Sequence, residues 1–289
     1  MQTLHFVLIG GDMRQLKLAQ LLRANGHHVS TYALSAPLPP GVTPLASLSH
    51  ASSSAAVILP LPLSLDQLCL NAPLFETPIS LERLFSELSP SQKILGGFID
   101  PSTFALAKSH NLTLADYYTQ EELIIAGAAA TAEGAIMLTM TETDTMLSGS
   151  SALVLGFGRI GKLLAHKLHA LNAKVSVCAR KYSDLAWIKA YGYTPIPLTE
   201  LDNHLHQFSL IYNTAPTPLF DLRRLALFHP DSLYIELASA PYGIDFTAAK
   251  NLGLRTILAP GLPGKVSPTS SAHALKETLY HILAQEESN

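Results

Sequence analysis

Charge is scarce in this sequence. Asp, Glu, Lys and Arg together make up 14% of its 289 residues, against about a quarter in an average soluble domain. The 19 basic and 22 acidic residues leave a formal net charge of −3. That is not the basic surplus a phosphate backbone demands, so no nucleic-acid partner is expected. Cysteine is scarcer still. Cys69 and Cys178 stand far apart with no second pair, which argues against a disulfide framework and fits a reducing compartment. The histidines are scattered, His27-His28 and His204/His206 being the nearest pairs. None has metal-ligand spacing, so no metal is expected. No G-x-S-x-G motif points to a hydrolase. No basic stretch precedes the first apolar run, which argues against a signal peptide. One long apolar tract, 123–140, raises a membrane question. It carries Glu133 and small residues throughout and reads as a buried helix instead. A cytoplasmic protein without membrane contact is the expectation.

What is abundant is apolar residues, at 48%, and they come in an ordered pattern. Short β-branched runs at 4–10, 29–34, 55–60, 94–99 and 112–115 alternate with helix-period segments at 14–25, at 80–88 and from Pro101 onward. Asp100 before Pro101 is a strong helix start. Thr119-Gln120-Glu121-Glu122 has the form of a capping box and should open a long helix running to about 144. After Ser148-Gly149-Ser150 a second series begins, with strands at 152–155, 174–179, 210–213, 233–237 and 256–258. Loops are expected through the proline tract at 37–44 and the Gly/Pro tract at 260–268, with a last helix at about 269–284. The pattern predicts an α/β protein of two Rossmann-like, doubly wound parallel-sheet domains joined by long helices, with an interdomain cleft. Residues 1–125 plus the C-terminal segment 267–289 form the expected substrate domain, and 126–266 the expected dinucleotide domain.

The sharpest motif is Gly156-Phe157-Gly158-Arg159-Ile160-Gly161, a G-x-G-x-x-G directly after the strand ending at Leu155. Gly156 makes the tight turn, Gly158 lets backbone approach a pyrophosphate, and Gly161 lets the following helix pack against the sheet. The next strand runs into Arg180-Lys181-Tyr182-Ser183, where an NAD-selective site would carry an acidic residue. Two cations there suit a 2′-phosphate, so NADP is the expected cofactor. Asn213-Thr214 and Ala238-Ser239 follow two further strands and are expected to border the same crevice.

Several blocks also resemble the dipicolinate synthase A-subunit family. They are Thr131-Ala132-Glu133-Gly134-Ala135-Ile136, the glycine turn from Val154 to Gly161, and Leu258-Ala259-Pro260-Gly261-Leu262-Pro263-Gly264-Lys265-Val266. Ile9-Gly10-Gly11-Asp12-Met13-Arg14-Gln15 and Ala238-Ser239-Ala240-Pro241-Tyr242-Gly243-Ile244-Asp245-Phe246 are similar to the same family. Tyr242 departs from its pattern, which has the first of two glycines there. The resemblance implies oxidation of dihydrodipicolinate to pyridine-2,6-dicarboxylate with NADP, in the mother-cell cytosol of a sporulating bacterium. It also implies a partner, the flavoprotein-like B-subunit of dipicolinate synthase; a homo-oligomer is left open.

Such a reaction removes a hydride and a proton from a flat dianion. Glu133, on its apolar segment, and Asp12 are the candidate proton acceptors. Gly10, Gly11, Arg14, Thr131 and Lys265 are candidates for the substrate, with the two glycine amides and Arg14 taking one carboxylate. Pro260 and Gly261 join the cofactor candidates. A hydroxyacid or shikimate-type dehydrogenase, and a non-catalytic NADP(H)-sensing protein, are the competing readings.

Overall fold

The structure, a computed structural model, describes residues 3–48 and 56–287. The expected strand start at residue 55, the first two residues and the last two of the C-terminal segment lie outside them. The chain divides into two compact units, residues up to 126 together with those from 267 on, and residues 127–266.

The sheet of the first unit contains β1 (His5–Ile9), β2 (His28–Tyr32), β3 (Thr43–Pro44), β4 (Ala56–Ile58), β5 (Lys93–Gly96) and β6 (Leu114–Asp116), in the order β3-β2-β1-β4-β5-β6. All pairings are parallel. Alternate residues of β1 feed two cores. Phe6 and Leu8 pack with Leu18 and Leu22 of α1 (Met13–Ala24), and Val7 and Ile9 with Leu81, Leu84 and Phe85 of α2 (Leu81–Glu87). Covering on both faces is what an all-parallel sheet requires. The Asp100 start is as expected: its carboxylate accepts from the amides of Ser102 and Thr103 at the head of α3 (Pro101–Ser109).

The capping box does not form. Helix α4 (Glu121–Glu142) begins later, and the Thr119 hydroxyl donates to the Asp116 carbonyl at 2.8 Å, closing a 3-10 turn instead. By length and composition α4 could cross a bilayer. Ala132, Ala135 and Thr139 on this helix are fully buried in the second unit.

The second unit repeats the winding without repeating the sequence. It comprises β7 (Ser151–Leu155), α5 (Arg159–Ala170), β8 (Lys174–Ala179), α6 (Tyr182–Ala190), β9 (Thr194–Pro197), β10 (Leu210–Asn213), α7 (Leu222–Leu225), β11 (Leu233–Glu236), α8 (Phe246–Asn251) and β12 (Arg255–Leu258), ordered β12-β11-β10-β7-β8-β9. Val154, Val177, Tyr212 and Ile235 face α5, while Leu153, Leu155, Ile211 and Tyr234 face a second cluster around Phe220 and Phe228. Edge strand β3 falls in the proline tract expected to be a loop, and edge strand β9 in a stretch where no strand was expected. Prolines 44, 195 and 197 sit in them, and proline is tolerated where one side of the strand pairs with nothing. The tract expected as a Gly/Pro loop contains a short helix, α9 (Leu262–Val266), before α10 (Pro268–Glu287). Helix α10 belongs to the first unit, where Tyr280 hydrogen-bonds Asn25 and His27.

Candidate functional site

In each sheet the strand order reverses between two neighbours, β1 and β4 in the first unit and β7 and β10 in the second. Ligands of open parallel sheets bind beyond the carboxyl ends of the strands at such points. Both points carry a glycine turn, and the two turns differ physically.

At the second unit's turn, Gly156 has φ +94° and donates its N–H to the Cys178 carbonyl at 3.0 Å. A Cβ on Gly161 would overlap the Gly156 carbonyl, so glycine is what lets α5 start this close to β7. Thr214 closes the floor: its N–H and its hydroxyl both donate to the Leu155 carbonyl, at 2.9 and 2.8 Å. Gly158 is the N-cap of α5. It offers no side chain to the helix, and a Cβ there would meet nothing within 4 Å. The result is an uncapped helix amino terminus facing open space, the feature that binds phosphate groups. Phe157 is buried under the Lys162 ammonium and Ile160 packs on the core; Arg159 is exposed.

Next to this turn, at the carboxyl end of β8, Arg180, Lys181, Tyr182 and Ser183 are all exposed. The Arg180 and Lys181 side chains pair with nothing among the described residues. Together with the open turn, this donor set fits an anionic dinucleotide.

On the other side, at the ends of β10 and β11, the expected bordering residues are wired into the fold. Asn213 is fully buried; its Nδ2 donates to Ala215 O and to Glu236 Oε1, and its Oδ1 accepts from Ala215 N–H. Asn213 and Thr214 thus shape the crevice through the backbone they hold, and their polar groups are already used. Ala238 is buried and Ser239 exposed just past β11. Glu236, absent from the expected site, is fully buried and accepts four hydrogen bonds. Burial, reinforced by the Glu236 charge and the hydrogen bond to it, pushes the Tyr234 phenol pKa far up and keeps its proton in place. A single acidic residue inside the apolar run Leu233–Leu237 was the signal available for Glu236.

The first unit's turn is closed. Gly10 and Gly11 have positive φ, as a turn after β1 requires, but their N–H groups donate to the carbonyls of Tyr32 and Asn71, both at 2.9 Å. The expectation that these amides bind a carboxylate is therefore corrected, because backbone acceptors already satisfy them. Asp12 caps α1 by accepting from Arg14 N–H, and both its oxygens face the Arg14 guanidinium, the shortest contact being Nη2 to Oδ2 at 2.8 Å. Arg14 also donates to the Leu61 carbonyl. A carboxylate thus fills the anion position at the start of α1 that is open at α5.

The remaining candidates lie in the second unit, on α4 and in the segment from Pro260 to Lys265. Glu133, expected as a costly carboxylate on an apolar segment, is instead exposed and ion-paired with Lys167 of α5, Nζ to Oε1 2.9 Å. This correction has a simple cause: α4 turns one flank to solvent. The Thr131 hydroxyl donates to the Gly127 carbonyl one turn back. Pro260 and Gly261 are exposed just past β12, and Lys265 is exposed on α9. Among the described residues no cluster of three His, Cys, Asp or Glu could hold a metal.

Comparison with known proteins divides the chain similarly. Residues 5–118 match the family model for the N-terminal domain of the dipicolinate synthase A-subunit. Residues 123–242 match that for the D-isomer specific 2-hydroxyacid dehydrogenase, NAD binding domain. The dipicolinate synthase A-subunit of Bacillus subtilis (strain 168) is 36% identical over 172 residues, which cover 60% of this chain and 58% of that protein. The crystal structure of the dipicolinate synthase A-subunit from Bacillus halodurans superposes with a TM-score of 0.88 at 30% identity, covering 98% of this chain and 99% of that one. The crystal structure of the Bacillus subtilis counterpart gives 0.86 at 27% identity, covering 100% and 98%.

Proposed function

The chain belongs to the dipicolinate synthase A-subunit family, and from that premise we propose that it oxidises dihydrodipicolinate to dipicolinate with NADP as hydride acceptor. A nicotinamide dinucleotide suits the second unit's NAD-binding domain. Its phosphorylated form is favoured by the observation that carries this reading: exposed Arg180 and Lys181, unpaired, beside the open glycine turn. When bound, the dinucleotide supplies the hydride acceptor. The protein's own tasks are the others. The α5 amino terminus and the close-packed turn from Gly156 to Gly161 receive the pyrophosphate. Arg180 and Lys181 receive the 2′-phosphate. Ala238 and Ser239, with Pro260 and Gly261, present backbone at the ends of β11 and β12.

The substrate is a dianion that must also lose a proton. Arg14 is the first unit's donor for a carboxylate, since Asp12 fixes its guanidinium without using every N–H. Asp12 is the proton acceptor of this proposal, and Lys265 a second cation for the substrate. Glu133 keeps the structural role its ion pair gives it, and Thr131 that of a helix residue. The flavoprotein-like B-subunit of the synthase is the proposed partner, and the mother-cell cytosol of a sporulating bacterium the proposed compartment.

The test is spectrophotometric: NADP and freshly generated dihydrodipicolinate, with the purified chain alone and with its flavoprotein-like partner. A rise at 340 nm, a readout of NADPH, supports the proposal; its absence in both mixtures overturns it. The match of residues 123–242 favours one other reading, a 2-hydroxyacid substrate. Turnover of 2-hydroxy acids in the same assay, with none of dihydrodipicolinate, would establish that alternative.

A further inference from the structure

Glu236 ends β11 with no exposed surface. Its Oε1 accepts from Asn213 Nδ2 at 2.7 Å and from Ala238 N–H at 3.1 Å; its Oε2 accepts from the Tyr234 hydroxyl at 2.7 Å and from Gly243 N–H at 2.9 Å. None of the four partners is a cation, and each carboxylate oxygen is met by two hydrogen-bond partners. Burial of such a group is tolerated only when its lone pairs are matched.

The partners show what the carboxylate holds. The Ala238 and Gly243 amides bracket the segment 238–243, and Asn213 ties the same carboxylate to β10, the strand at the crevice floor. Gly243 is gripped from its other side too, its carbonyl accepting from Leu219 and Phe220. No room is left there: a Cβ on Gly243 would collide with Asn213 Nδ2.

We propose that Glu236 is a positioning residue of the dinucleotide crevice, clamping residues 238–243 so that the backbone past β11 keeps the shape the nicotinamide end needs. The proposal rests on reading that crevice as a dinucleotide site. Glu236 touches no ligand in it; it acts through Ala238 and Gly243.

Glu236→Gln breaks the matching. In its better orientation the new amide donates to the Tyr234 hydroxyl and confronts Gly243 N–H with a second donor. The test titrates NAD and NADP calorimetrically into the full-length chain and follows amide exchange by NMR. In Glu236→Gln the affinity for the preferred dinucleotide should fall about tenfold, the effect of one orphaned buried donor, and the Gly243 amide should exchange faster. Gly243→Ala wedges the clamp from the other side and should show the same loss, which decides the matter should Glu236→Gln not fold. Leu205→Ala, buried in the cluster around Phe220, is the control: it should lower the melting temperature and leave dinucleotide affinity unchanged. Unaltered affinity or exchange in the two clamp variants overturns the assignment of Glu236 alone, as does an equal loss in Leu205→Ala. A wild-type chain that takes up neither dinucleotide overturns the crevice reading and the clamp with it.

Discussion

The carbonyl oxygen of Gly156 occupies the space that a Cβ on Gly161 would need. Elsewhere in the same turn the opposite holds, since Gly158 faces open space. Gly161→Ala and Gly158→Ala should therefore differ in kind. Gly161→Ala forces β7 and α5 apart and should destabilise the fold by about 1–3 kcal/mol, as overpacking does. Gly158→Ala loses only the small preference of an N-cap for glycine over alanine, about 1 kcal/mol or less, yet its methyl enters the space left for a phosphate. Chemical denaturation and dinucleotide titration, run on both variants, check this. Equal stability losses with unchanged affinity in Gly158→Ala would show that the turn binds no phosphate.

Much of this turn was legible in the sequence because its glycines follow a strand and precede a helix, and each spacing has a steric reason. The parallel-sheet strands were legible too, as apolar runs with β-branched residues. Other features depend on neighbours distant in sequence. The fate of the Gly10 and Gly11 amides is set by Tyr32 and Asn71, and no local pattern announces those acceptors. Glu133 looked costly on an apolar tract because the tract conceals which flank of α4 meets solvent. Strand β9 was hidden by Pro195 and Pro197, which local propensity reads as breakers, although an edge position accommodates them.

His27 should make the first unit sensitive to acid. Its ring is buried, accepting from Leu4 N–H at Nδ1 and meeting the Tyr280 hydroxyl at Nε2, 2.8 Å away. Burial, with Lys276 nearby as a lesser cause, lowers its pKa below the ordinary 6.5. Below pH 6.5 the unfolded chain takes up a proton that the folded chain refuses, so the contribution to stability is full above 6.5 and is lost as the pH falls through the depressed value. His5, lowered by burial and by His28, acts in the same direction. The melting temperature should drop between pH 7 and pH 5, and more steeply in the wild type than in His27→Asn. Parallel slopes would exclude His27 as a source.

Asp12 joins structure and proposed chemistry in one side chain, and the two can be separated. Asparagine caps helices as well as aspartate does, so Asp12→Asn should keep the start of α1. Asparagine keeps one oxygen toward Arg14 but gives up the charge of a largely buried pair, whose side chains are 29% and 13% exposed, so the stability loss should stay within about 1–3 kcal/mol. A lost proton acceptor, by contrast, costs about 100-fold or more in turnover. A large fall in kcat with only a modest drop in melting temperature is the expected result. A fall in stability that accounts for the whole activity loss would reduce Asp12 to a cap.

Arg180 and Lys181 carry the choice between the two dinucleotides. Both are exposed at the end of β8 and have no acidic partner among the described residues, so removing either breaks no internal contact. Arg180→Glu replaces an attraction for the 2′-phosphate by a repulsion, at a cost of about 1.5–3 kcal/mol of NADP affinity, the range for hydrogen bonds to charged groups. That is roughly a 10- to 100-fold rise in Kd. NAD lacks the 2′-phosphate, so its affinity should stay level or improve, since a carboxylate there accepts from the ribose hydroxyls. Salt should weaken NADP binding to the wild type more than to the variant, because contacts at an exposed site are screened. Titration of both dinucleotides at two ionic strengths tests all three expectations together. If Arg180→Glu left NADP affinity and its salt dependence unchanged, the phosphate would have to be held elsewhere than at the end of β8.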